Sequence, residues 1–182
     1  GFLAVGMERG DHVAVIGRNR PALYWSMVAA QMCGAVPVPL YQDAVSEEMA
    51  YVLENCGARF VVCGDQEQVD KVIDVQDRLH QLHHVMYQDK RGMRKYDHSQ
   101  MNWLHDIQAE GRAGHHRFEE ELDRRIAELD YDSTCVMLYT SGTTGKPKGV
   151  VLSNRNVIET AKNSVSFDKL RPGEEILAYL PM

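Results

Sequence analysis

Short apolar runs rich in β-branched residues alternate along the chain with longer stretches whose apolar residues recur at helical spacing. Val13-Ala14-Val15-Ile16 follows Asp11 and stops at Gly17, which predicts a first strand. Arg18-Asn19-Arg20-Pro21 then opens a helix, with Pro21 in the first turn, where its missing N–H costs nothing. This helix, Ala22 to Cys33, is apolar on most sides and is expected to be deeply buried. Gly34 stops it. Val36-Pro37-Val38-Pro39-Leu40 is extended, but its two prolines confine it to a sheet edge or a connecting stretch. Ser46 is expected to cap a second helix, with Glu47 and Glu48 in its first turn and Asn55 and Gly57 at its end. Arg59-Phe60-Val61-Val62-Cys63 reads as a strand. Gln66 to Leu79 reads as a helix with Val69, Val72, Ile73 and Leu79 on one face, and Val85-Met86-Tyr87 as a short strand.

From about Gln88 to His116 the chain turns polar, broken by Gly92, Gly111 and Gly114. One amphipathic turn, Trp103-Leu104 to Ile107, interrupts this stretch, which reads as a surface excursion whose small helix packs on the domain. Phe118 to Leu129 is a charged helix, its Glu119-Glu120-Glu121 and Asp123 partnered by Arg124 and Arg125. Thr134 to Tyr139 is a strand. A glycine-rich loop follows, then Val150-Val151-Leu152 as another strand. Asn154 is expected to cap a helix running to about Ser164, and Glu175 to Leu180 reads as a last strand. Strands separated by helices imply an α/β fold with a mostly parallel sheet and crossover helices.

Composition narrows the function classes. The chain has 182 residues, 44% hydrophobic and 25% charged, which suits one hydrophobic core or about one and a half domains. A net charge of -6 gives no basic field, so nucleic acid is disfavoured as a partner. No apolar run approaches the roughly 18 residues of a membrane span, which leaves a peripheral membrane contact open. Cys33, Cys56, Cys63 and Cys135 form no C-x-x-C pair and sit in or beside apolar stretches; they read as reduced, mostly buried thiols of a cytosolic protein. The opening Gly1 to Gly6 lacks the charged and apolar regions of a signal peptide. A first residue that is not methionine, and an end just after a strand-like run, suggest a piece of a longer chain. His80, His83 and His84 have helical spacing but no accompanying ligand set, so they read as ordinary histidines rather than a metal site.

The chemistry concentrates in Tyr139-Thr140-Ser141-Gly142-Thr143-Thr144-Gly145-Lys146-Pro147-Lys148-Gly149. These eleven residues hold three glycines, four Ser/Thr hydroxyls and two lysines. A polyphosphate needs N–H groups that turn inward, small neutral donors and a cation. Glycines permit the backbone angles and the close approach. Hydroxyls donate without bulk, and lysine supplies a compact charge. Hydrogen bonds to a charged acceptor are worth about 1.5–3 kcal/mol each, so a few would hold a nucleotide tail. The loop is not the nucleoside-triphosphatase P-loop G-x-x-x-x-G-K-[ST]. Only two residues separate Gly142 from Gly145-Lys146, and Pro147 follows where a magnesium-binding hydroxyl would be. Both flanks read as strand, whereas P-loops and dinucleotide fingerprints open a helix.

The spelling T-S-G-T-T-G-K-P-K-G resembles the phosphate-binding motif of the adenylate-forming enzymes, which include acyl-CoA synthetases, adenylation domains and luciferases. Gly10 to Val15, Asn19-Arg20-Pro21 and Gly34 to Leu40 are similar to the early part of that family's large N-terminal domain. Tyr41-Gln42-Asp43 and Tyr179 to Met182 look most like its long-chain fatty-acid branch. The resemblance implies a two-step reaction. A carboxylate attacks the α-phosphate of ATP to give an acyl-adenylate and pyrophosphate; a thiol, usually that of coenzyme A, then displaces AMP. It also implies that Ser141, Gly142, Thr143, Thr144 and Gly145 hold the β- and γ-phosphates, with Lys146 and Gly149 in the same loop. Thr140 would sit near the α-phosphate and Mg2+, and Lys148 would offset charge on the leaving pyrophosphate. Lys146 occupies a more permissive family position. The family's ribose-binding acid, magnesium-binding glutamate and late lysine would lie past Met182, so this chain by itself is expected not to catalyse adenylation. An adenylation domain for an amino or aryl acid, and a non-catalytic nucleotide-binding module, remain as alternative readings.

Overall fold

The computed structural model describes residues 1–99, 101–140 and 145–175. Its framework is five parallel strands in the order β2-β1-β3-β4-β5. They are β1 (His12–Ile16), β2 (Val36–Leu40), β3 (Ala58–Cys63), β4 (His84–Tyr87) and β5 (Met101–Trp103). Between and after them run α1 (Pro21–Met32), α2 (Ser46–Cys56), α3 (Gln66–Ile73), α4 (Leu104–Ala113) and α5 (His115–Ala127). A separate antiparallel pair, β6 (Thr134–Thr140) and β7 (Lys148–Ser153), leads into α6 (Asn154–Asp168). The expected α/β architecture with a parallel sheet is therefore present.

Side-chain alternation splits the core into two layers. Ala14, Ile16, Val38, Val61, Cys63 and Val85 face α2 and α3. Val13, Val15, Phe60, Val62 and Met86 face α1, α4 and the N-terminal turn with Phe2 and Met7. Strands buried on both faces are continuous apolar runs, as β1 and β3 are.

The prolines of β2 have a directional effect. The Val36 N–H donates to Asp11 O of the neighbouring segment at 2.8 Å. Alternate residues share a side, so the nitrogens of Pro37 and Pro39 point away from β1, where no ladder donor is required. β2 accordingly ends the five-stranded sheet, as expected, and β6 runs beside it without a ladder among the described residues. Gln31 of α1 bridges this gap, donating from Nε2 to Cys135 O at 2.8 Å.

Several local expectations are corrected. Helix α1 is not deeply buried. Leu23, Ser26 and Ala30 form its one buried stripe, while Trp25 is 65% exposed and Tyr24, Val28 and Met32 are also exposed. A helix lying on a sheet buries one stripe, and no described element covers the other. Ser46 does not cap α2. Val45 is the N-cap, Ser46 is already helical, and its hydroxyl meets Asp74 Oδ2 at 3.3 Å. Asn55 stays within α2, and Gly57 alone ends it, with φ +64°. α3 stops at Ile73. Asp65 caps it by accepting from the Gln68 N–H, and a separate 3-10 turn at Gln76–Arg78 carries the chain on, keeping Val75 and Leu79 in the core. Ser153 rather than Asn154 caps α6, in a capping box with Asn156, and the helix continues to Asp168.

The 88–116 stretch is more than a surface excursion. It supplies β5 and α4, and it buries Met93, Met101, Leu104 and Ile107. The last expected strand, Glu175 to Leu180, lies outside the described residues after its first position.

All four thiols are free, with Cys33, Cys56 and Cys63 buried. Burial pushes the Cys56 thiol up to about 11 and raises Cys63 further. Among the described residues no helix is long and apolar enough to cross a membrane. No group of three or more metal-ligating side chains occurs among them either, the histidines at 80, 83 and 84 included.

Candidate functional site

The glycine-rich loop joins β6 to β7, so strands flank it on both sides, as its spelling predicts. Of the predicted site residues, Thr140, Gly145, Lys146, Lys148 and Gly149 are described; Ser141, Gly142, Thr143 and Thr144 lie outside the described residues. The ladder pairs Thr140 with Lys148, Tyr139 with Gly149, Leu138 with Val150 and Met137 with Val151. Directly opposed residues on an antiparallel pair have Cβ atoms about 4.5–5.5 Å apart on one face. Thr140 and Lys148 thus stand together at the mouth of the loop, a hydroxyl beside an ammonium group. Both are exposed, and Lys148 has no ion-pair partner among the described residues. Gly145 closes the loop at φ +92°, a conformation that costs a side-chain-bearing residue energy.

The opposite face of the hairpin is anchored. Met137 and Tyr139, two apart on β6, pack against the core layer that holds α2. The Tyr139 hydroxyl donates to Asn55 Oδ1 at 2.6 Å. Burial, with Cys56 and Tyr51 nearby, pushes the Tyr139 phenol up to about 12, so it remains a donor at neutral pH. Gly149 leaves room for that ring: a Cβ there would come within 3.2 Å of Tyr139 Cζ and 3.3 Å of Met137 Sδ. The geometry therefore gives Gly149 a packing role across the ladder. Lys146 turns to the helix, its Nζ 5.3 Å from the centre of the Tyr51 ring. The two lysines thus differ. Lys146 is held over an aromatic face, and Lys148 shares a face with Thr140.

Tyr51 and Asn55 are one helical turn apart on α2, so a single stripe holds both the strand entering the loop and the lysine leaving it. Sequence reading missed this support. Its one trace is a Tyr and an Asn at i, i+4 beside the apolar stripe of α2, a pattern that alone indicates no partner. The far end of the hairpin is fixed by local bonds. Asn154 N–H donates to Ser133 O at 3.0 Å, Arg155 N–H to Tyr131 O at 2.7 Å, and the Arg155 guanidinium pairs with Asp132 at 3.0 Å.

The expected acidic face of α5 is present in part: Glu121 accepts from Arg124 and Arg125. Arg125 does more than neutralise it. Its Nη1 also donates to Met7 O at 3.0 Å and Cys33 O at 3.1 Å, pinning α5 to the N-terminal turn and the end of α1.

This arrangement is a glycine-rich hairpin loop carried by an α/β domain, and comparison with known proteins gives it a family. The AMP-binding enzyme pattern matches residues 1–182, and the chain belongs to that family. The chain is 32% identical over 187 residues to the long-chain-fatty-acid–CoA ligase ACSBG1 of Rattus norvegicus, covering 100% of itself and 25% of that protein. It thus spans about a quarter of the relative's length. Among solved structures it resembles the N-terminal domain of FACL13 from Mycobacterium tuberculosis, at a TM-score of 0.73 and 22% identity, over 100% of this chain and 40% of that one. It also resembles ATP-bound MatB from Rhodopseudomonas palustris, at a TM-score of 0.69 and 22% identity, over 99% of this chain and 32% of the other. These two likenesses support the fold.

Proposed function

We propose that the protein containing this chain activates a long-chain fatty acid with ATP and transfers it to coenzyme A. In the first step a carboxylate oxygen bonds to the α-phosphorus and the bond to the β-phosphate bridge breaks, giving acyl-adenylate and pyrophosphate. In the second, the thiol of coenzyme A bonds to the acyl carbon and AMP leaves. The observation that carries this reading is the opposition of Thr140 and Lys148 at the mouth of a glycine- and hydroxyl-rich loop. The name of the rat relative supports the choice of acid and of thiol.

The roles follow from charge and geometry. Negative charge grows on the pyrophosphate as its bond to the α-phosphorus breaks. An ammonium group with no competing carboxylate meets that charge at full strength, and this is the part assigned to Lys148. Thr140 orients the phosphate chain by a short hydrogen bond. Its hydroxyl is also a hard oxygen ligand of the kind Mg2+ accepts, so the residues present fit the ion. Mg2+ would neutralise phosphate charge there, held mainly by the nucleotide and water. Lys146, engaged by Tyr51, sets the loop's exit. A cytoplasmic protein with a peripheral membrane contact is the setting that fits a soluble nucleotide and an apolar acid.

Acid-dependent exchange of labelled pyrophosphate into ATP by the full-length protein tests the proposal. Long-chain fatty acids are expected to drive exchange, and coenzyme A to draw the product into a thioester. Exchange driven by amino or aryl acids instead would replace the substrate assignment. ATP binding with no exchange under any acid would reduce the protein to a nucleotide-binding module.

A further inference from the structure

Residues 88–98 carry four Lys/Arg side chains against two carboxylates, in a chain whose overall charge is negative. The fold draws these cations together. Beyond β4 the backbone turns at Gly92, with φ +82°, where any Cβ would run into the Gln66 side chain. The turn is pinned to α3: Gln66 Nε2 donates to Tyr96 Oη at 2.8 Å, and that hydroxyl donates to Asp70. Met93 is buried beneath it. Above it lies an open surface depression, with Tyr87 on one wall and Lys90, Arg91, Arg94 and His98 around it.

The cations are held in different ways. Lys90 Nζ lies 3.3 Å from the centre of the Trp103 ring, and the Trp103 indole donates to Gln88 O at 3.1 Å. Arg91 is forked onto Asp89, with contacts of 2.6 and 2.8 Å. That carboxyl is held below its usual range, chiefly by the Arg91 hydrogen bonds and also by the charge of Arg20 on the β1–α1 loop. Arg94 has no ion-pair partner among the described residues. The acid at the rim is therefore already matched; Lys90 sits on the Trp103 face with no carboxylate partner among the described residues, and Arg94 likewise has none. The depression stands at the carboxyl end of β4, the side of an open parallel sheet on which ligands are bound.

We infer that Lys90 and Arg94, on the rigid turn after β4, form a second anion site that takes a phosphate-bearing group, distinct from the glycine-rich hairpin. A lipid phosphate and a free phosphate share this chemistry, and the test separates them. The full-length protein is sedimented with phosphatidylcholine vesicles, with and without phosphatidic acid, and titrated calorimetrically with inorganic phosphate. Wild type is compared with Lys90→Gln/Arg94→Gln and with Lys148→Ala; thermal melts check that the variants fold.

Neutralising two surface cations is expected to weaken binding roughly tenfold or more, as it would at an acidic membrane. Loss of binding to phosphatidic acid vesicles in the double variant, with Lys148→Ala unaffected, supports the site with lipid as its source. The same loss seen for inorganic phosphate supports it with a free phosphate as the source. A folded double variant that binds both probes like wild type overturns the inference. So does a wild type that binds neither, or a loss that follows Lys148 instead.

Discussion

The Tyr139 hydroxyl donates to Asn55 Oδ1 at 2.6 Å, joining the strand that enters the glycine-rich loop to a helix 84 positions earlier in the chain. Removing it in Tyr139→Phe is expected to cost about 0.5–1.5 kcal/mol in denaturant unfolding, the worth of one neutral hydrogen bond. The same variant changes a pH profile. The folded-state phenol titrates at about 12, above its ordinary value of 10.0, so its contribution is complete below 10 and is lost as pH rises towards 12. Buried thiols also titrate in alkali, so the difference between wild type and variant is the readout. Equal slopes for the two proteins would show that the ring is not protected by folding.

Lys146 over Tyr51 predicts a split between two substitutions at one position. Tyr51→Phe keeps the ring and should leave the KM for ATP near wild type. Tyr51→Leu removes the aromatic face, and the loss of about 0.5–1 kcal/mol of cation–π attraction should raise that KM a few-fold. If the two variants raise KM alike, the hydroxyl or plain packing matters and the cation–π contact does not.

Lys148→Ala is expected to lower kcat/KM for acid-dependent pyrophosphate exchange by roughly 100-fold or more, the scale seen when one preorganised transition-state donor is removed. Lys146→Ala should cost far less. Reversed magnitudes would exchange the roles assigned to the two lysines.

Gly149→Ala places a methyl group 3.2 Å from the Tyr139 ring and 3.3 Å from Met137 Sδ, and a loss of stability is expected because Asn55 holds that ring in place. Gly149→Ala/Tyr139→Leu should recover much of that loss in thermal melts. A double variant no better than the sum of the single ones would place the strain in the Gly149 backbone.

The loop's place between two strands could be read along the chain because its determinants are local. Gly142, Gly145, Pro147 and the hydroxyls spell a loop between two strands, and Pro37 with Pro39 marks an edge. The supports could not be read this way. Tyr51, Asn55 and Gln31 act across 84 to 104 positions, and nothing in their neighbourhoods reports a partner that far away. Composition overstates the burial of α1, because it counts apolar residues without saying how many faces are covered. The caps lie one residue before Ser46 and Asn154, at Val45 and Ser153, where the backbone is extended as a cap requires. The strand hidden in 88–116 is only three residues long, too short for alternation to show.

Because Pro37 and Pro39 turn donor-free nitrogens towards β6, no backbone ladder among the described residues zips the hairpin to the main sheet. Beside the packing of Met137 and Tyr139 on the core, its attachment uses side-chain latches at Gln31, Asn55 and Tyr51, each separately removable. In mechanical terms the joint is a row of clasps rather than a weld. The loop's placement can thus be tuned by single substitutions on two helices, without cutting any strand pairing in the sheet beneath.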